Sequence, residues 1–301
     1  MEWLTAVKEA INYMEDNLLT VKGPEEVAEH VYMSSMNMQS GFRILTGFTL
    51  GEYIRNRRLY KAAQELVNSD EKVIDIALKY GYETPEAFTK AFRRFHDASP
   101  SEVRKHPSKI KAFTRLKITI TVQGGYEMDY KIEKMQNFRV IGFERIFRAE
   151  GSYKTIPEFW KEVFTPYMEG VYNGKVPETD LEKAVKDNQI GEFGICIDDM
   201  GCSGQFRYMI AGLYRGGPVP KGLRIYSIPA KLWAKFKCTG PLPQAMQSVN
   251  TKIFKEWLPG NKEYRIGGDY NIEWYSFDKK TTDPDYESEI WIPVYTKAEK
   301  Q

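Results

Sequence analysis

One pattern occurs twice near the start of the chain and narrows its fold more than any other feature. The first copy runs Val27-Ala28-Glu29-His30-Val31-Tyr32-Met33-Ser34-Ser35-Met36-Asn37-Met38-Gln39-Ser40-Gly41-Phe42-Arg43. The second runs Ile76-Ala77-Leu78-Lys79-Tyr80-Gly81-Tyr82-Glu83-Thr84-Pro85-Glu86-Ala87-Phe88-Thr89-Lys90-Ala91-Phe92-Arg93. Each places a small alanine where one helix can approach another, then a turn, then a Ser or Thr able to cap a second helix that ends in Phe-Arg. Two helices meeting steeply across a short turn need that small residue at the crossing and that cap at the restart. Gly81 tolerates positive φ at the second turn, whereas the first copy has Tyr32, which predicts a slightly different turn.

The surroundings are helical as well. Residues 2–107 show apolar positions three and four apart, such as Val7, Ile11, Met14 and Leu18, and no strand-like alternation. Thr84-Pro85-Glu86 is a cap, a proline in the first turn and an acid. The helix it opens carries Glu86, Thr89, Lys90 and Arg93 on one face, with Ala87, Phe88, Ala91, Phe92 and Phe95 turned inward. A polar face with hydroxyl and basic groups is what major-groove readout needs. Between the copies, residues 49–68 read as one helix spanning roughly 27–30 Å. That is near the roughly 34 Å between successive major-groove faces, so one chain can set both second helices on one side of a duplex. Net charge is only +2. The basic residues are clustered, however: Arg55, Arg57 and Arg58 form one group and Lys90, Arg93 and Arg94 another. A focused basic face matters more to a phosphate backbone than the total.

These residues match a family. Leu45-Thr46-Gly47-Phe48-Thr49-Leu50-Gly51-Glu52-Tyr53-Ile54-Arg55, then Arg57-Arg58-Leu59, Ile74-x-Ile76-Ala77 with Gly81-Tyr82, Phe88-Thr89-Lys90-Ala91-Phe92-Arg93-Arg94-Phe95 and Ser99-Pro100-Ser101-Glu102-Val103-Arg104 resemble the AraC/XylS transcription regulators. The resemblance covers about residues 5–107. It implies contacts to double-stranded promoter DNA from Met36, Asn37, Gln39, Ser40 and Arg43 in the first recognition helix, and from Pro85, Glu86, Thr89, Lys90 and Arg93 in the second. Members often carry a basic residue where this chain has Ser40 and a bulky apolar one where it has Gly41. The second unit is therefore expected to supply more of the phosphate attraction.

The remainder is built differently. Thirteen of the 19 tyrosines and five of the six tryptophans follow residue 125. Residues 117–122 alternate, and Gly124-Gly125 marks a linker zone. Residues 129–135 and 139–148 read as strands, 157–168 as a helix, and 192–197 with 205–214 as a strand pair. Strands at 223–228 and 232–238, a helix at 242–257 and a pair at 270–277 and 289–295 repeat the plan. The expected fold is multidomain: an all-α double helix-turn-helix domain at 1–110, a linker at 111–126, and at 127–301 an α+β domain of two pseudo-symmetric β-α-β-β units with a cleft between them. This second domain resembles the gyrase-inhibitor-like effector-binding domain of Rob-like regulators and multidrug sensors, through Trp257-Leu258-Pro259 and Glu289-Ile290-Trp291-Ile292-Pro293-Val294. The resemblance implies that Glu289 is the pocket carboxylate for a cationic or polar ligand. Alternation puts Trp291 on its face and Ile290 and Ile292 on the other. Trp160, Tyr208, Trp233 and Trp257 are further wall candidates, each as readily core as pocket.

Several chemistries are excluded. There is no GxGxxG, and Gly170, Gly174 and Lys175 have the wrong spacing for a phosphate loop. Asp198-Asp199 beside the Gly201-Cys202-Ser203-Gly204 turn read as a solvated hairpin loop. The three cysteines (Cys196, Cys202, Cys238) read as reduced thiols, with no metal site and no cofactor expected. Residues 127–301 lack histidine, so no Ser-His or Cys-His nucleophile operates there. Neither a leader peptide nor a membrane span is expected, and the protein is expected in the cytoplasm; the family resemblance implies a bacterial regulator. The reading is a ligand-responsive DNA-binding regulator, with a lipophilic or cationic effector and RNA polymerase as a further partner. The alternatives are a constitutive activator whose second domain docks a protein and has a filled core, and a hydrolase using Glu289 with Glu273 as second carboxylate.

Overall fold

The computed structural model describes residues 2–118, 128–149, 151–200 and 204–296. The expectations for residues 119–122, for Gly124-Gly125 and for the turn at Cys202 lie outside the described residues. The chain divides into two compact units, residues 4–33 with 38–123, and residues 124–301 with 1–3 and 34–37.

The first unit is helical: α1 (Trp3–Asp16), α2 (Pro24–His30), α3 (Ser35–Thr46), α4 (Leu50–Asn68), α5 (Val73–Lys79), α6 (Pro85–His96) and α7 (Pro100–Lys105). Local chemistry sets the starts. Thr49 and Glu52 form a capping box on α4, as do Ser99 and Glu102 on α7, while the Thr84 hydroxyl accepts from Ala87 N at the head of α6. Asp97, at φ 58°, ends α6 in the left-handed conformation. The core of the second helix-turn-helix joins Leu59, Ala62, Ala63 and Leu66 of α4 to Ile76, Ala77, Phe88, Phe92 and Val103. Ala77 is buried at the helix crossing, but Ala87 is exposed rather than inward, while Phe88 and Phe92 are buried.

The two turns are made alike, contrary to the expectation from Tyr32. Tyr32 has φ 55° and Gly81 φ 83°. Met33 N donates to Ala28 O at 3.0 Å, and Tyr82 N donates to Ala77 O at 3.0 Å. A bulky residue thus adopts the backbone that glycine takes in the second copy.

The second unit is a nine-stranded antiparallel sheet carrying helices. Its strands are β1 (Tyr130–Met135), β2 (Phe138–Arg148), β3 (Phe193–Ile197), β4 (Gln205–Leu213), β5 (Arg224–Ile228), β6 (Lys231–Thr239), β7 (Tyr264–Ile266), β8 (Tyr270–Tyr275) and β9 (Glu287–Thr296). The order is β1-β6-β9-β8-β3-β4-β2-β5, with β7 on β9. This order reads the same from either end when β1 to β4 are exchanged with β5, β6, β8 and β9, which is the pseudo-symmetry of two β-α-β-β units. Only Gln136-Asn137 joins β1 to β2, and only Pro229-Ala230 joins β5 to β6, although each pair stands at opposite ends of that order. The sheet must therefore curl. Tyr226 of β5 accordingly meets Tyr270 of β8, ring centroids 6.3 Å apart, across three intervening strands. Inside the curl lies one apolar cluster of Val140, Ile195, Met209, Ile228, Trp233, Ile272 and Trp291.

The outer face carries the helices. The expected helix at 157–168 is α8 (Ser152–Phe159), a π turn at Trp160–Phe164 and α9 (Thr165–Glu169), with Pro157 inside α8. A second π turn, Ile253–Trp257, sits between α11 (Gln244–Lys252) and α12 (Leu258–Gly260) in the other half. The helix α10 (Asp180–Asp187), opened by a Thr179–Glu182 capping box, and strand β7 were not anticipated. Phe159, Phe164 and Val185 pack on Phe143, Phe147, Phe206, Tyr208 and Ile210 beneath them.

Candidate nucleic-acid interface and ligand site

The face of α6 is positioned by its own core. Phe88 and Phe92 are fully buried, and they turn the remaining side of the helix outward. Glu86, Lys90, Arg93 and Arg94 are exposed, and Pro85 and Thr89 are half-buried. These six residues line one shallow hollow. All five sequence-derived residues of the second recognition helix therefore share a surface, and Arg94 joins them. In the first helix, Arg43 is exposed, Met36 and Ser40 are half-buried, and Asn37 and Gln39 are buried.

The α4 arginines do not join that basic surface. Arg57 is buried and grips Glu15 of α1 through Nε and Nη2, both at 2.6 Å. Burial pushes the Glu15 carboxyl up, but hydrogen bonds from Arg57 and Tyr53 outweigh it and hold the group below its usual range. Arg58 donates to Leu18 O and Val21 O, each at 2.7 Å. Only Arg55 of that cluster is exposed. Sequence proximity grouped the three, whereas helical geometry points two of them into the protein.

The outer face of the sheet carries a carboxylate that the sequence reading ranked second. Glu273 of β8 lies opposite Gly194 of β3 and opposite Ile290 of β9. Gly194 in turn lies opposite Ile210 of β4, which shares its face with Tyr208. The register thus brings Glu273 and Tyr208 to one side. Tyr275 donates to Glu273 Oε2 at 2.8 Å and Tyr208 to the same oxygen at 3.3 Å, which leaves Oε1 to other partners. Trp160, at the start of the π turn, donates its indole N–H to the Tyr208 hydroxyl at 2.9 Å. Its ring meets Tyr275 edge-on at 5.3 Å. Gly194 is needed here, because a Cβ at that position would stand 2.3 Å from the Tyr208 hydroxyl and 3.0 Å from Glu273 Oε2. Burial raises the Glu273 pKa, and the two phenol hydrogen bonds offset that only in part. No basic group compensates it among the described residues.

The other sequence-derived ligand residues fall elsewhere. Glu289 and Trp291 do share a face, but it is the inner one. Trp291 is core there, donates to Glu289 Oε2 at 2.5 Å, and has Lys235 Nζ 3.8 Å from its ring centre. Trp233 is fully buried in the same cluster. Trp257 is on the outer face but packs on Phe236 and Tyr130 in the other half of the domain. Of the six, only Trp160 and Tyr208 adjoin Glu273. The signal for Glu273 was an acid in mid-strand followed by Trp274 and Tyr275, with a glycine in the equivalent strand of the first half. Cys196 and Cys238 are free thiols whose pKa burial raises. Among the described residues no cluster of three or more metal-ligating groups occurs, and no helix is long and apolar enough to cross a membrane.

Comparison with known proteins divides the chain in the same way. Residues 27–106 match the family described as helix-turn-helix domain, and residues 131–294 match that described as integron-associated effector binding protein. The transcriptional activator AarP of Providencia stuartii is 38% identical over 98 residues, 33% of this chain and 73% of that one. The multiple antibiotic resistance protein MarA of Escherichia coli strain K12 is 34% identical over 94 residues, 31% of this chain and 74% of that one. Two solved structures are similar to the second part: SAV2435 bound to tetraphenylphosphonium (22% identity, 56% of this chain and 94% of that chain, TM-score 0.45) and an integron cassette protein of Vibrio cholerae (13%, 55% and 95%, TM-score 0.38). The DNA-binding domain of AdpA in complex with target DNA is similar to the first part, at 28% identity over 33% of this chain and 89% of that chain, TM-score 0.32.

Proposed function

The chain belongs to the AraC-type helix-turn-helix transcription regulators and carries an effector-binding domain of the integron-associated, gyrase-inhibitor-like kind, and from that premise we propose how its residues do this work. The second recognition helix is the main reader. Thr89, Lys90, Arg93 and Glu86 meet base edges and phosphates, with Pro85 at the groove entry and Arg94 on the backbone. Met36, Asn37, Gln39, Ser40 and Arg43 act from the first recognition helix. The observation that carries this reading is the single polar and basic face of α6, held outward by two buried phenylalanines.

The effector is a lipophilic cation, bound at Glu273 with Tyr208, Tyr275 and Trp160. A half-buried carboxylate without a counter-cation is costly, and a ligand that supplies the charge recovers that cost beside aromatic walls. Glu289 and Trp291 serve the inner core. The groups around Glu273 are phenols and the Cys196 thiol, all with pKa values that burial raises well above ordinary, and an indole. We read the protein as a binder, not an enzyme, because AarP, a relative it matches, is a transcriptional activator. We propose further that the domain boundary lies within residues 111–126, that the protein acts in the cytoplasm, and that RNA polymerase is among its partners at the promoter.

The test uses the full chain and a duplex selected by it from random sequence. Arg93→Ala should weaken binding and reduce the slope of log affinity against log salt by about one. Affinity and slope both unchanged would remove α6 from the interface and with it this reading.

A further inference from the structure

The segment after α7 binds both helix-turn-helix halves. Residues 110–116 run back along the first unit as a strap. Ile110 packs against the core of the second half. Lys111 N donates to His96 Nδ1 at 3.1 Å, and its ammonium lies 5.7 Å from the centre of the Phe95 ring. Phe113 sits at the middle, edge-on to Phe48 at 5.2 Å and to Phe95 at 5.9 Å, and 5.9 Å from Tyr53. Its carbonyl accepts from Arg57 Nη1 at 2.5 Å. At the far end Leu116 N donates to the Tyr53 hydroxyl at 3.3 Å, and Arg115 bonds Asn12 of α1. One short segment therefore touches α1, the turn before α4, α4 itself and α6.

We propose that residues 110–116, centred on Phe113, are the positioning element that fixes the two recognition helices at one spacing and so makes the protein selective for the distance between two half-sites. Besides it, the halves are joined by α4 and by Arg58, which contacts the carbonyls of Leu18 and Val21 and the turn at Gly81. Torsion about a single helix is soft, and a second connection on its flank removes that freedom. Phe113 provides the connection because one ring contacts aromatic side chains from both halves. The inference rests on the reading above that both recognition helices contact DNA.

The measurement is affinity for three duplexes: the selected operator, the same operator with one base pair inserted between half-sites, and the second half-site alone. One insertion moves a half-site by about 3.4 Å and about 35°. Wild type should bind the inserted duplex about tenfold or more weakly, the loss of one good contact set. Phe113→Ala should reduce that penalty to about threefold or less with half-site affinity unchanged, and Phe113→Leu should restore much of it. A merely structural residue would lower all three affinities together. Should Phe113→Ala fail to fold, Lys111→Pro decides in its place. It removes the hydrogen bond to His96 and the ammonium over Phe95 while leaving the Phe113 ring in place, and Ile110 at φ −67°, ψ 116° already has the backbone a following proline requires. Folded variants that keep the wild-type insertion penalty overturn the proposal. A wild type indifferent to the insertion overturns the two-helix reading instead.

Discussion

Replacing Glu273 with glutamine keeps the acceptor for Tyr208 and Tyr275 and removes the charge. Two unit charges about 5 Å apart, at an effective dielectric of about 20, attract by about 3 kcal/mol. Glu273 retains some solvent access, so part of that is screened, and a loss of about 1.5–3 kcal/mol is expected. The affinity for a bulky lipophilic cation should then fall roughly 10- to 150-fold. A neutral aromatic of similar size should change by about threefold or less, since its contacts are with the rings. The stability effect has the opposite sign. Burial raises the Glu273 pKa above the ordinary 4.5. The folded protein therefore holds this proton more tightly than the unfolded chain does. The stabilisation tied to it is complete below the unfolded value and is lost as pH rises through the raised folded value. At neutral pH the free Glu273→Gln protein should melt at a higher temperature than wild type, and saturating cation should narrow or reverse the gap. Cation affinity of wild type should rise with pH through the same window, and that of the variant should stay flat. Tryptophan-fluorescence titration and thermal melts of the full chain supply every number. Equal losses for cationic and neutral ligands, or a variant less stable than wild type at neutral pH, would refute the assignment of Glu273 as an uncompensated effector carboxylate.

Three further outcomes follow from the geometry. Tyr32 adopts φ 55° with its side chain 90% exposed. Tyr32→Gly should therefore stabilise the helical unit by about 0.5–1 kcal/mol in urea melts, the left-handed penalty less glycine's greater unfolded entropy, and no gain would mean the turn is unstrained. His96 is buried, with Nδ1 accepting from Lys111 N and Nε2 3.2 Å from Leu59 O, and burial lowers its pKa from 6.5. A lowered histidine contributes stability above its unfolded pKa that is lost as pH falls. The melting temperature should thus drop between pH 7 and 5 in wild type and less steeply in His96→Gln; parallel curves would exclude His96 as the source. Gly194→Ala introduces a Cβ 2.3 Å from the Tyr208 hydroxyl, which Trp160 holds in place. It should cost about 1–3 kcal/mol of stability and weaken effector binding at least tenfold, whereas wild-type affinity for the cation would dissociate this cluster from the ligand.

Much of this was legible from local chemistry. The cap at Thr84 is a short-range hydrogen bond written in adjacent residues, and the structure opens α6 there. The two helix-turn-helix copies followed from the repeated motif, and the outward Glu86, Thr89, Lys90 and Arg93 of α6 from helical periodicity. Strand alternation placed Glu289 with Trp291 and apart from Ile290, as observed. The split helix over the outer face was less legible, because Pro157 reads as a helix start and instead lies within α8.

What the sequence determined by itself is therefore the class of the protein: two helix-turn-helix units with a basic reading helix, followed by two copies of a β-α-β-β plan. Those features depend on residues within a few positions of one another. The choice between Glu289 and Glu273 did not, since alternation says which residues share a face but not which face the helices cover. That choice came from the pairing of β8 with β3, where Gly194 makes room for the acid, and from the curl that turns Trp233 and Trp291 inward. The roles of the arginines were settled in the same way. Arg57 and Arg93 look alike in sequence, but Glu15, 42 positions from Arg57, takes the first into the core, and two buried phenylalanines turn the second toward solvent. Charge and aromaticity are properties of residues, whereas pocket, interface and strap depend on what long-range packing sets beside them.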